Sequence, residues 1–432
     1  MNIRIINIRY YLPALIFVVY CISGFSQDTS LITLEKLYHS LDENHPDTRQ
    51  IMLTEEISKK QIDNIISDWY PSVSLNGQAS WQSDVIEIGG VVQIPDVTFP
   101  EVPHDQYKLT VDIQQPVYDG GAMKYSRSIE ERTNEVEKQQ LVVDRYKQKE
   151  IVNQLFFSII LMNKNNEILD TILLNLQDRE KAVRAAVSAG ALEQSDLLAL
   201  QTEILNMSMK QDEIQSTKSA AKKSLIYLTG MHIPEKSVFY VPVSSGMEMN
   251  DSINRPENRL FYNQKDLLDA SIQMVKSNMV PKIYAFSQIG YGKPGLNMMN
   301  DEFDSFILVG AQFSWNFLNW NDNKRQKQIL QIQKDMVDSQ EESFLIQTRM
   351  ALTNELENLK KYEKAVSKGE IIVDNRKQIT LNAAVKLENG AISSSDYLGE
   401  LNSELQARLD LEKSKLLLMQ SLINYKTLKG DF

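Results

Sequence analysis

The sequence predicts a mixed chain built from two copies of one unit, in which paired amphipathic β-strands alternate with very long α-helices. Three observations carry that expectation. Prolines and glycines recur at fixed spacings, several strands alternate strictly with period two, and Ala122 to Ser188 contains neither proline nor glycine.

The copies are read from spacing. Pro46 and Pro256 each open a helical segment, Pro71 and Pro281 each follow one, and both pairs lie 210 residues apart. Gly190-Ala191 and Gly390-Ala391, Ser195-Asp196 and Ser395-Asp396, and Gly230 and Gly430 lie 200 apart. Copy one therefore holds ten more residues between Pro71 and about Lys108, the mark of a loop that tolerates length. The expected organisation is a signal peptide over 1–26, one copy over 27–233, a linker with Pro, Ser and Gly over 234–254, and a second copy over 255–432.

The N-terminal segment has a secretory layout. Arg4 and Arg9 give a basic start, Leu12 to Phe25 is an apolar run, and Gly24-Phe25-Ser26 supplies small residues before Gln27. The single cysteine, Cys21, lies inside it; cleavage after Ser26 leaves no thiol, and lipidation of Cys21 is the alternative. Loss of Arg4 and Arg9 takes the net charge from −11 to −13. Such an acidic surface argues against nucleic acid as a partner. Beyond residue 26 no stretch reaches the roughly 18 apolar residues of a transmembrane helix, so membrane residence would require a barrel.

In the first strand Val73, Leu75, Ala79 and Trp81 alternate with Ser72, Ser74, Asn76, Gln78 and Ser80. Leu109, Val111 and Ile113 continue the pattern against Lys108, Thr110, Asp112 and Gln114. In copy two, Val309, Ala311, Phe313, Trp315 and Phe317 form one face, and Ile283 to Tyr291 is assigned as a strand from its repeat position. A soluble sheet with one buried face would alternate in the same way. Four strands cannot close a barrel, however, and open edges in lipid leave backbone groups unpaired, so the chain needs copies of itself.

The helix from about Ala122 to Ser188 spans on the order of 100 Å at 1.5 Å per residue, and its counterpart runs from about Asn321 to Glu388. Each turns and returns as a shorter helix, where Leu398, Leu401, Leu405 and Leu409 give a seam at spacings of three and four. Gly190 and Gly390 suit the left-handed residue that ends a helix. Ser195 with Asp196, and Ser395 with Asp396, suit the start of the next one, where oxygens and negative charge meet free amides.

This order resembles the TolC-type outer-membrane efflux family, most specifically in the heptapeptides starting Gly190-Ala191-Leu192 and Gly390-Ala391-Ile392 and ending in Ser-Asp. The resemblance implies a homotrimer, a twelve-stranded barrel in outer-membrane lipid and a tunnel of helices across the periplasm. It also implies docking of the tips to a periplasmic adaptor and, through it, to an inner-membrane pump or secretion ATPase. The candidate adaptor-contacting residues are Gly190, Ala191, Ser195, Gly390, Ala391 and Ser395. Val73, Leu75, Trp81, Val309, Phe313 and Trp315 are the expected lipid face, and the loop from about Glu87 to Gln106 is expected outside the cell. In the family, an acid at the tip and a second one turn on narrow the periplasmic entrance. Asp396 and its counterpart Asp196 match the first, Gly399 stands at the second, and Glu400 is the nearest substitute. The family's polar latch would fall at Leu387 and Ile392 and is absent. Capping and gating both remain open for Asp196 and Asp396.

Other signals dissolve. Gly290-Tyr291-Gly292-Lys293-Pro294-Gly295 fits G-x-G-x-x-G, but Pro294 opposes the helix that a dinucleotide site requires. His39, His45, His104 and His232 have no ligand spacing, no nucleophile motif is present, and no enzyme or cofactor is expected. A periplasmic adaptor would carry one helical hairpin rather than two. A structural coiled coil of the envelope would have no use for Trp81, Val309, Phe313 and Trp315 on one alternating face.

Overall fold

The computed structural model describes residues 31–85, 103–241, 252–298 and 301–431. The signal-peptide reading and Cys21 lie outside these residues, as does most of the loop from Glu87 to Gln106. In chain order the elements are β1 (Leu31–Ile32), α1 (Leu34–Asn44), α2 (Pro46–Ser67), β2 (Ser72–Trp81), β3 (Asp105–Tyr118), α3 (Ala122–Ser188) and α4 (Gln194–Thr229). They continue with β4 (Val238–Phe239), α5 (Pro256–Ser277), β5 (Lys282–Lys293), β6 (Asp304–Ser314), α6 (Asp322–Glu388) and α7 (Ser394–Lys429). Lengths recur in pairs. α2 and α5 have 22 residues each, α3 and α6 have 67, and α4 and α7 have 36. The segment read as a linker is not all loop, because β4 within it pairs in parallel with β1.

Two compact units divide the chain, one of residues 1–41, 154–248 and 376–412, the other of residues 42–153, 249–375 and 413–432. In the first, α1 buries Leu34, Leu37, Tyr38 and Leu41, a helical stripe. Ile32 of β1 is buried, and the rings of Phe156 and Phe239 lie 5.6 Å apart. The larger core of this unit joins α3, α4, α6 and α7 through Leu169, Ile172, Leu176, Leu200, Leu387 and Leu401.

The second unit holds one antiparallel sheet in the order β2-β3-β5-β6. Its register aligns Leu75, Val111, Ile289 and Ile307 in a single row across all four strands. One residue along, the row is Asn76, Thr110, Gly290 and Phe306. Period-two alternation in each strand therefore becomes one apolar face and one largely polar face. Gly290 has a close-approach role: a Cβ there would lie 2.2 Å from the Phe306 ring, which covers it. Gly290 and Gly292 of the G-x-G-x-x-G match thus lie in β5, and Gly295 lies just past its end. No helix starts there, and the dinucleotide reading fails.

Trp315 departs from the expectation, since β6 ends at Ser314. The register pairs Lys282 with Ser314, so the next step would set Trp315 against Pro281, which has no N–H to donate. Its indole instead donates to the Met279 carbonyl at 3.2 Å. Val309 and Phe313 do lie in β6, exposed on the apolar face.

A buried ion pair anchors the same unit. Arg255 and Glu257, both buried, form a two-point contact with Nε to Oε2 at 3.0 Å, and the guanidinium stacks over the Tyr146 ring at 4.9 Å. The Tyr146 hydroxyl donates to the Thr427 carbonyl at 2.6 Å, and burial pushes its pKa up to about 12. Removing one partner strands a buried charge. Glu257→Ala is expected to cost about 3–5 kcal/mol, and the double variant with Arg255→Met less than the single. Thermal unfolding followed by helical circular dichroism checks this; equal losses for single and double would refute the account.

Candidate functional site: the hairpin tips

Both long helices end in the same way. Gly190 and Gly390 take φ of 73° and 65°, and a Cβ at either would meet nothing within 4 Å. Glycine is required by the left-handed backbone, not by space. Around it, Gly190 N–H donates to Val187 and Ala191 N–H to Ala186, at 3.0 and 2.9 Å. Gly390 to Leu387 and Ala391 to Lys386 repeat the distances. This is the Schellman arrangement, which satisfies the last carbonyls of the helix.

The return helices start two residues earlier than Ser195 and Ser395 would require as caps. With α4 beginning at Gln194 and α7 at Ser394, the capping positions are Glu193 and Ser393, the last residues outside the helix. The serines at 195 and 395 are already in the first turn, and Ser195 Oγ donates to Glu193 Oε2 at 3.1 Å. The aspartates behave as expected of caps. Asp396 Oδ2 accepts Ser393 N–H at 3.1 Å while Ser393 Oγ accepts Asp396 N–H at 3.2 Å, a complete capping box. At the first tip, Asp196 Oδ2 accepts Glu193 N–H at 3.3 Å. Its other oxygen reaches across to the second tip and accepts Ser394 N–H at 2.7 Å.

Glu400 is not a free acid. Its carboxylate pairs with Arg376 at 3.2 Å, and its carbonyl accepts from Thr380 Oγ1 at 3.3 Å. Leu387 is buried and Ile392 packs on the same core, so the positions of the family's latch are apolar anchors. Beside them, Arg179 pairs with Glu388 and lies over the Tyr397 ring at 5.6 Å. Burial pushes the Tyr397 hydroxyl above its ordinary pKa, and the neighbouring guanidinium opposes that shift.

Sequence reasoning missed Glu193 and Ser393 as caps, although the S-x-x-D spacing of Ser393 and Asp396 was there to find. It also missed a polar lattice on the sheet. Asp112 Oδ2 accepts Asn76 Nδ2 at 2.6 Å and Thr110 Oγ1 at 3.0 Å, Asp112 Oδ1 accepts Gln288 Nε2 at 2.5 Å, and Gln288 Oε1 accepts Lys108 Nζ at 3.2 Å. Among the described residues no helix is long and apolar enough to cross a membrane, and no cluster of three or more His, Cys, Asp or Glu could hold a metal ion.

Residues 37–231 match the family model for outer membrane efflux proteins. The match spans somewhat less than half of the chain, and over those residues the chain is similar to outer membrane efflux proteins. In fold it is similar to the CmeC outer membrane channel of Campylobacter jejuni, at 14% identity and TM-score 0.67 over 92% of this chain and 85% of that one. It is also similar to the outer membrane protein VceC of Vibrio cholerae, at 14% identity and TM-score 0.65 over 91% and 95%. The open-state MtrE outer membrane channel of Neisseria gonorrhoeae gives 16% and 0.65 over 92% and 88%. No curated protein matches in sequence.

The cap of α7 titrates. The Ser393 hydroxyl and then its amide hold the Asp396 carboxyl below its ordinary range. A lowered folded-state value means that the stabilisation is complete above the ordinary carboxylate pKa and is lost as pH falls through the lowered one. Hydrogen-exchange protection of the first α7 turn should therefore hold near neutrality and drop on acidification. Asp396→Ala should lower it about several-fold at neutral pH and abolish the acid step. Unchanged protection in the variant would rule out the cap.

Proposed function

We propose that the protein is a passive outer-membrane duct that works as a homotrimer, through which cargo delivered by an inner-membrane pump or secretion ATPase leaves the cell. The observation that carries this reading is the sheet. Its apolar row of Leu75, Val111, Ile289 and Ile307 crosses all four strands, while β2 and β6 are edges without a partner strand among the described residues. In hydrocarbon every backbone donor and acceptor needs a partner, so only a closed barrel is stable there, and four strands are too few to close one. Three copies supply twelve strands, with β2 of one protomer beside β6 of the next.

In that barrel Val73, Leu75, Trp81, Val309 and Phe313 face lipid, and the lattice around Asp112 lines a polar lumen. The loop from about Glu87 to Gln106 is extracellular. The two copies, 27–233 and 255–432, joined through 234–254, give six hairpin tips to the trimer. Gly190, Ala191, Ser195, Gly390, Ala391 and Ser395 are then the surface offered to a periplasmic adaptor. Asp396, with Asp196, contributes the negative potential that favours cations in a narrow entrance. Glu400 contributes less, because Arg376 neutralises it.

Purified protein examined by native mass spectrometry and planar-bilayer recording tests the reading. The expected result is a detergent-dependent three-copy complex with stepwise, cation-preferring conductance; a water-soluble monomer without conductance would overturn it. Within that frame, Leu75→Arg is expected to cost roughly 2–4 kcal/mol near mid-membrane, whereas Asn76→Arg is tolerated. Assembly yields of the two variants report the difference, and equal losses would reverse the face assignment.

A further inference from the structure

The face of the sheet opposite the apolar row is divided in its chemistry. On β2 and β3 it carries Ser74, Asn76, Gln78, Lys108 and Asp112. On β5 and β6 it carries Phe286, Leu308 and Phe306 beside Gly290, Gly292 and Gly310. Two of those glycines lie under rings: a Cβ at Gly290 or Gly310 would come within 2.2 or 2.7 Å of Phe306 or Phe286. Shielding of bare backbone accounts for the rings. It does not account for what gathers at one end of the strip.

There the loop that follows β5 meets this face around a cavity of about 200 Å³. Its lining combines Gln78 of β2, Lys108 of β3 and Phe306 of β6 with Leu296 and Met298 of the loop. No carboxylate lines it, in a chain that carries −11 overall, but two lysines do. Lys293 is engaged by Asp105 and Asp301, at 3.6 and 3.2 Å. Lys108 pairs with no acid among the described residues. Its ammonium gives one N–H to Gln288 Oε1 at 3.2 Å and stands 5.4 Å from the centre of the Phe306 ring. Three N–H groups are available on an ammonium, so one is left for a further acceptor. Asp112 does not compete for it, because its oxygens already accept from Asn76, Thr110 and Gln288.

Charge and size then fix the class of ligand. A cation set among apolar side chains suits an anion with an apolar body. Pockets for drug-sized ligands measure about 300–1,000 Å³, so this smaller cavity suits one ring with one head group. We propose that it binds a small organic anion, a single apolar ring carrying a carboxylate or sulfonate. The anion sits on Lys108 and the Gln78 amide, and the ring sits against Phe306, Leu296 and Met298. The cavity forms within one chain; its position on the inner wall near the outer mouth rests on the duct inferred above. A duct whose entrance favours cations thus keeps one place, at its far end, that holds an organic anion.

Benzenesulfonate, permanently charged and excluded by membranes, is the probe, and benzenesulfonamide is its neutral counterpart. With the full-length protein in non-ionic detergent, saturation-transfer NMR should show saturable binding of the sulfonate, at least about tenfold tighter than the sulfonamide. Lys108→Met, which keeps the stem, should weaken the sulfonate about tenfold, and Lys108→Arg should stay within about threefold of the wild type. Leu296→Asp should weaken it too, and as an exposed loop change it leaves the strands intact. On intact cells, a membrane-impermeant thiol reagent should label Ser80→Cys, which lines the same cavity, and external sulfonate should slow that labelling. Three-copy complexes that bind both probes equally, or that bind the sulfonate unchanged in Lys108→Met and Leu296→Asp, would overturn the site and leave the duct standing. Binding without three-copy complexes, or without protection from outside, would overturn its place on the inner wall.

Discussion

A sheet with an apolar face and two unpaired edges is the constraint on which the rest of this molecule turns. The row of Leu75, Val111, Ile289 and Ile307 makes one face unsuited to water, and the free edges of β2 and β6 make the same sheet unsuited to lipid while the chain is alone. Among the described residues neither problem has a solution inside the chain, because the sheet has four strands. In the trimer proposed above, closure by further copies solves both at once. It also sets how the helices that continue from the strands must be arranged, since whatever symmetry closes the sheet is imposed on them too.

Duplication within the chain makes that closure economical in sequence. Two copies of one unit give hairpins of equal length, and equal hairpins in a ring meet their neighbours through equivalent surfaces. The copies have diverged at those surfaces. Inside the chain an apolar core joins the hairpins, and polar contacts lie beside it, with Arg179 against Glu388 and Tyr397 and with Asp196 on the Ser394 amide. The faces left over are apolar and carry Leu198, Leu205 and Ile379.

The tips show how little chemistry such a device requires. Glycine ends each long helix, a serine or glutamate caps the next, and an aspartate three residues on completes the turn. The same carboxylates have a second oxygen to spare. What looks like housekeeping for a helix start thereby becomes available for contact between hairpins, and a single atom separates a local cap from a long-range tie.

The sequence by itself determined the element order, the strand faces and the hairpin ends. Each of these is fixed by local periodicity or by a residue with a unique backbone preference: alternation for the strands, absence of breakers for α3, left-handed glycine at 190 and 390. It also carried the family resemblance, because the tip heptapeptides are contiguous. Only the tertiary structure decided register and reach. That Trp315 leaves its strand follows from Pro281 lying opposite, that Glu400 is neutralised follows from Arg376 on another helix, and that Asp196 serves two tips follows from Ser394 lying 198 residues away in sequence. Such facts depend on which segments meet across space. A one-dimensional pattern records what each residue is able to do, whereas the fold selects the partner with which it does it.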